Sequence, residues 1–192
     1  SHGVPPGTRW FIYLGGFNPH KHVDVVVRSH AAIVSDARDR APHLLIVGPT
    51  VEDVFHADRQ AVRDQIRRCG TEDLVHWTGF VPDEQLRHLL SGAVALVFPS
   101  RLEGFGLPAV EAAACGTPVV ATRASPLPEL LEDGGIFVEP GNEREVTDAM
   151  RLLLADEEGR LDMGRRALDR ARQLSWRDAA RVALDALHEV AA

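Results

Sequence analysis

Cysteine is scarce in this sequence, with two in 192 residues, and tyrosine is scarcer, with one. Cys69 and Cys115 lie far apart, and neither has a second cysteine at CxxC spacing. Neither a disulfide framework nor a structural zinc site is therefore expected to organise the chain; two reduced, half-buried thiols are. Long hydrophobic runs are also missing. No apolar stretch reaches the ~18 residues of a membrane-crossing helix, and no signal-peptide pattern opens the chain. With the cysteine usage, this points to a cytoplasmic protein. Basic charge is in deficit, with 21 Lys and Arg against 28 Asp and Glu and a net charge of −7. Sequence-independent nucleic-acid binding needs a concentrated basic surface, so no nucleic-acid partner is expected. Arginine runs such as Arg165-Arg166 are interspersed with acids and read as a solvated helix face.

What is present is a chain 45% hydrophobic and 26% charged, enough for one α/β domain with a sizeable core and too little for two. Ser1-His2 reads as the scar of a cleaved tag and Gly3–Gly7 as linker, leaving 8–192 as the domain. Six short apolar runs each border a turn residue: Trp10–Leu14, Leu44–Val47, Leu74–Thr78, Ala93–Phe98, Pro118–Ala121 and Gly135–Val138. Short, β-branched-rich runs of this kind suit strands buried on both faces of a parallel sheet. Between them the spacing predicts helices over Val23–Asp39, Asp58–Cys69, Pro82–Ser91 and Ala109–Cys115. Another opens at Asn142, a natural N-cap, and the tail from about Glu158 to Ala192 reads as one or two amphipathic helices. The alternation predicts a Rossmann-like doubly wound sheet of about six parallel strands, with helices on both faces and a helical tail. Ligands bind such sheets outside the carboxyl ends of the strands. The loops of interest are Gly15–His22, Gly48–Val54, Gly79–Asp83, Pro99–Pro108 and Thr122–Glu129.

The most informative segment runs from Phe98 to Glu111. A strand ends at Phe98, a loop with two glycines follows, and a helix starts near Leu107 or Pro108, proline being well suited to a first helical position. The amides of Gly106 and Leu107 then face out of a helix N-terminus, a ready anion site suited to a diphosphate. Glycine also lets backbone approach a ligand closely. Glu103 precedes the glycines, and Glu111 lies about one turn into the helix, where the dipole favours its ionised form. An ionised carboxylate accepts hydroxyl donors, as in ribose and sugar recognition. Taken singly, Glu111 also reads as a helix-dipole acid and Glu103 as a solvated loop acid. Flanking one Gly-Phe-Gly turn at a strand-to-helix switch, they point to a ligand.

The pattern Glu-x7-Glu from Glu103 to Glu111, with Gly-Phe-Gly-Leu-Pro inside it, resembles the hallmark of the family 4 retaining glycosyltransferases of GT-B fold (glycosyl transferases group 1). The resemblance extends from Gly15 to the helical tail. It takes in Gly15–Lys21, Leu44–Gly48, Val75–Val81 and Ala114–Thr122. It implies the C-terminal, donor-binding half of an enzyme that moves a mannose- or glucose-like hexose from a UDP- or GDP-linked sugar to an acceptor, with retention. Glu103 would contact the transferred sugar and Glu111 the ribose hydroxyls. Phe105, Gly106 and Leu107 would cradle sugar and phosphate through their amides, and Lys21 would neutralise the diphosphate leaving group. Backbone around Val81 would meet the base. Gly15, Gly16, Ser100, Arg101 and Gly104 complete the implied donor site. Many members carry an arginine five residues before the lysine; this chain has Gly16 there, so the diphosphate would lean on Lys21, backbone amides or Arg101.

The resemblance also implies that the acceptor, any membrane contact and part of the catalytic machinery belong to an N-terminal domain outside this chain. The 192 residues alone would then bind nucleotide weakly and transfer little. No metal or other cofactor is implied, and no DxD triplet occurs. His20 and His22 flank Lys21, but without a third ligand they read as solvated histidines. Two alternatives stand beside this reading. One is a nucleotide-binding module without catalysis. The other is an NAD-dependent oxidoreductase domain, because Gly104–Ala109 also fits GxGxxA, although that fingerprint belongs after the first strand.

Overall fold

The computed structural model describes residues 3–36, 38–48 and 56–191, and side chains within these ranges apart from those of residues 56–58 and 191. The strands are β1 (Trp10–Leu14), β2 (His43–Val47), β3 (Val75–Gly79), β4 (Leu96–Phe98), β5 (Val119–Thr122) and β6 (Gly135–Val138). All neighbouring pairs run parallel, in the order β3-β2-β1-β4-β5-β6. The central strands are buried on both faces: every residue of β2, β4 and β5 is buried. This is why they read as continuous apolar runs rather than alternating ones.

The helices are α1 (Val23–Asp36), α2 (His56–Cys69), α3 (Asp83–Ser91), α4 (Leu107–Ala114), α5 (Leu127–Leu131), α6 (Glu143–Ala155), α7 (Glu157–Ala171) and α8 (Trp176–Ala191). α1 packs against α2 and α6, and α4 against α3, α5 and α7. Strand order reverses between β1 and β4, and right-handed crossovers on either side of that point place the two helix groups on opposite faces.

Several boundaries differ from the sequence-based ones. α1 stops at Asp36 instead of Asp39, and residues 38–40 form a 3-10 turn. β4 begins at Leu96 instead of Ala93, although Val94 already donates to the Trp10 carbonyl at 2.8 Å. β3 and β5 each extend one residue further along the chain than their apolar runs, while α4 starts at Leu107, where the loop after Phe98 placed it, two residues before the helical stretch from Ala109. α5 overlaps the end of the expected loop Thr122–Glu129 and runs on to Leu131; Pro128 sits in its first turn, where proline is compatible with helix. Asn142 does cap α6: its side chain accepts from the Glu145 amide at 3.2 Å, and Glu145 Oε1 accepts from Asn142 Nδ2 at 2.7 Å.

Residues 1–2, read as a scar, and 49–55, most of the expected loop after β2, lie outside the described residues. Gly3–Gly7, read as linker, is held locally, with the Thr8 hydroxyl donating to the Pro5 carbonyl at 2.7 Å and Val4 resting on the core. At the other end, α8 stands off the domain. Every residue from Ser175 to Val190 is exposed, including Trp176, Val182, Leu184, Leu187 and Val190. Among the described residues no helix is long and apolar enough to cross a membrane.

Candidate functional site

The reversal between β1 and β4 opens a crevice at the carboxyl edge of the sheet, where adjacent loops leave in opposite directions. The loop after β1 turns at once. Gly15 takes φ +150° and donates to the Val47 carbonyl at 3.0 Å. Gly48, at the end of β2, lies so close that an added Cβ would collide with the Gly15 carbonyl. The buried Tyr13 hydroxyl donates to the Gly16 carbonyl and fixes the turn. Burial, and then the charge of Glu103, push the Tyr13 pKa well above its ordinary value, so the phenol stays a donor.

Lys21 ends a 3-10 turn, Pro19–Lys21, whose amide donates to the Asn18 carbonyl at 2.8 Å. His22 then adopts a left-handed conformation, φ 51°, and hands the chain to α1. This break lets Lys21 lean across the crevice instead of continuing along a helix. Its Nζ donates to Glu103 Oε1 at 2.6 Å and lies 5.2 Å from the centroid of the Phe98 ring. The side chains of Lys21 and Glu103 are only 20% and 11% exposed, so the pair is well shielded. Lys21 is also the only lysine in the sequence, a fact that reading motif by motif overlooked.

The loop from β4 to α4 is clamped from both sides. The Arg101 amide donates to the His20 carbonyl at 2.7 Å, and the Glu103 amide donates to the Ala124 carbonyl at 3.3 Å. Ser100 is fully buried, and among the described residues its hydroxyl has no hydrogen-bond partner. Arg101 is exposed and, among the described residues, pairs with no carboxylate. Gly106 caps α4 at φ +82°, and an added Cβ would come within 2.8 Å of the Leu127 side chain. Gly104, by contrast, is exposed, and a Cβ there would meet nothing within 4 Å. Gly16 is similar: its nearest contact would be Asn18 Oδ1 at 3.6 Å. The fold requires glycine at 106 and leaves 104 and 16 open. Phe105 and Leu107 are exposed beside the cap.

The two acids are not equivalent partners of one cation. Glu103 faces Lys21, whereas Glu111 is influenced by Asp83, at the start of α3. The helix dipole was expected to favour the ionised form of Glu111. The net effect is the reverse: partial desolvation, and then the Asp83 charge, raise its pKa above 4.5. Glu111 lies five residues into α4, where the dipole has weakened, so partial desolvation and a like charge win although the residue remains exposed to solvent. Val81 follows β3 with its side chain in the core, leaving backbone as what it can offer a ligand.

A shielded lysine, a carboxylate and a helix N-terminus with no side-chain cap at a topological switch point define a Rossmann-type domain suited to an anionic ligand that also carries hydroxyls. The pattern described as Glycosyl transferases group 1 matches residues 1–170. The chain belongs to this family of glycosyltransferases, and its fold is that of a GT-B half. It is 31% identical over 165 residues to O-antigen chain mannosyltransferase B of Escherichia coli, covering 86% of this chain and 42% of that protein. It is 32% identical over 185 residues to D-inositol 3-phosphate glycosyltransferase of Corynebacterium aurimucosum, covering 93% and 42%. Sucrose-phosphate synthase from Thermosynechococcus elongatus superposes with a TM-score of 0.84 at 28% identity, over 97% of this chain and 46% of that one. Anabaena Alr3699/HepE, solved with UDP-glucose, gives a TM-score of 0.77 at 24% identity, over 87% and 44%, a likeness of fold. The chain thus spans less than half the length of these proteins. Family membership sets the oxidoreductase alternative aside.

Proposed function

We propose that this chain is the donor-binding domain of a retaining hexosyltransferase that uses a nucleotide diphosphate sugar. The observation that carries the reading is the Lys21–Glu103 pair at the β1/β4 reversal, beside the N-terminus of α4. In this reading Lys21, with Arg101 and the amides at 105–107, meets the diphosphate. Glu103 and the open position Gly104 meet the hexose, with Ser100 and the Gly15-Gly16 turn lining the crevice. Glu111 holds the ribose, and the backbone at Val81 meets the base. UDP-glucose in a protein of the same fold supports this class of ligand. Charge that builds on the leaving phosphate is stabilised by the fixed cation and helix end, which needs no bound metal. Departure of the diphosphate breaks the anomeric C–O bond and leaves an oxocarbenium-like sugar; the acceptor hydroxyl attacks from the same face and gives its proton to the leaving phosphate oxygen, so no protein nucleophile is required.

The acceptor and the rest of the machinery belong, in this proposal, to a preceding domain of the whole protein. The exposed apolar residues of α8 and those at the carboxyl edge, Phe80, Leu102, Phe105 and Leu107, are consistent with surface that such a domain covers. A cytoplasmic location, with any membrane contact made through that domain, completes the proposal. Thermal denaturation of the 192-residue chain with UDP, GDP, their glucose and mannose conjugates, and NAD tests the reading. One uracil or guanine nucleotide series should raise Tm, and Glu111→Ala should weaken its binding by about 1–3 kcal/mol. Stabilisation by NAD alone would contradict the proposal.

A further inference from the structure

The Lys21–Glu103 pair fills the position that the proposed diphosphate needs. Lys21 Nζ is held at 2.6 Å by Glu103 Oε1 and lies over the Phe98 ring, so its charge is already satisfied before any ligand arrives. A diphosphate that recruits this ammonium has to take it, wholly or in part, from Glu103. A carboxylate that is 11% exposed then loses its counter-ion while negative phosphates approach, and both effects oppose binding. Among the described residues, no other cation pairs with Glu103. The neighbouring Tyr13 hydroxyl cannot take over, because it is committed to the Gly16 carbonyl. Relief has to come from the ligand. A nucleoside diphosphate alone brings no donor to Glu103, whereas a sugar esterified to it brings hydroxyls that do.

We infer that Glu103, through its ion pair with Lys21, is a specificity-determining residue that makes the site prefer a nucleotide sugar over the free nucleoside diphosphate. The inference rests on the donor-binding reading and adds a direction of exchange. A donor takes the lysine with its phosphates and repays the carboxylate with its hydroxyls. Once the sugar has been transferred, the remaining diphosphate faces an unsatisfied Glu103, and the returning ion pair favours its release. Arg101, which is exposed and among the described residues pairs with no carboxylate, carries no such penalty and does not discriminate.

Glu103→Gln removes the charge and keeps the shape. In titrations of the 192-residue chain, it should tighten binding of UDP or GDP about three- to tenfold. It should leave the matching UDP-glucose or GDP-mannose unchanged or weaker, so that the preference for the sugar form shrinks or inverts. Lys21→Met should weaken the free diphosphate, and in the Lys21→Met/Glu103→Gln double variant the gain should vanish. The single lysine gives an independent readout: with lysine side-chain 15N labelling, the one ammonium signal should move on adding UDP-glucose and move in Glu103→Gln without ligand. If wild type binds nucleotides but Glu103→Gln weakens the free and sugar-linked forms equally, the exchange is overturned while the donor site stands. If wild type binds no uracil or guanine nucleotide at all, the donor-binding reading fails and takes the inference with it.

Discussion

The glycines around the site differ in what holds them there, and that difference is testable residue by residue. Gly106 needs φ +82° and closes on Leu127, so both backbone and packing demand it. Gly106→Ala should lower stability by about 1–3 kcal/mol, read by chemical denaturation. Gly104 meets no such demand. Gly104→Ala should leave stability unchanged and weaken sugar-nucleotide binding, read by titration; a loss of stability at 104 equal to that at 106 would show a structural role for both. The Glu103-to-Glu111 spacing was visible in the sequence, as was the turn between them. The ion pair was not: Lys21 and Glu103 are 82 residues apart, and only strand order brings them together. The raised pKa of Glu111 was also hidden, because it depends on desolvation in the fold and then on Asp83 of another helix.

Among the elements, strands were legible because each buried apolar run is short and borders a turn residue, as Trp10–Leu14 and Gly135–Val138 show without any shift in boundary. α5 was not legible. Its five residues are too few for a helical period, and their helicity depends on Leu127 and Leu131 being drawn into the core. α8 is the opposite case, strongly amphipathic in sequence yet contributing no buried residue from Ser175 to Val190. Removing residues 176–192 should therefore leave the Tm of the domain almost unchanged. A large drop in Tm would mean that α8 is integral to the domain core after all.

The whole molecule carries a pH dependence that lies away from the site. His30 of α1 is fully buried, with Nε2 donating to the Pro42 carbonyl at 2.8 Å, and burial lowers its pKa from 6.5 to about 4. His43 and His76 stack nearby with ring nitrogens 2.6 Å apart, and burial lowers both. His30 stays neutral in the folded state while the unfolded chain takes up a proton, so its contribution is complete above about pH 6.5 and is lost as the pH falls towards 4; the lowered pKa values of His43 and His76 act in the same direction. For His30 alone the loss is of the order of 3 kcal/mol. Denaturation midpoints measured across this range should fall with acid, and His30→Leu should flatten the profile; an unchanged slope in that variant would refute the assignment.

At the same scale, the switch point is the feature from which the functional account follows. The order β3-β2-β1-β4-β5-β6 places the β1–α1 and β4–α4 loops side by side, and Lys21 and Glu103 then meet across one crevice. Amide NMR of the 15N-labelled chain during titration with UDP-glucose and GDP-mannose tests this most directly. The account predicts saturable shifts at Gly15, Gly16, Val81, Gly104–Leu107 and Glu111 with one of the two donors. Saturable shifts confined to the amino edge of the sheet, around His43 and His76, would contradict it.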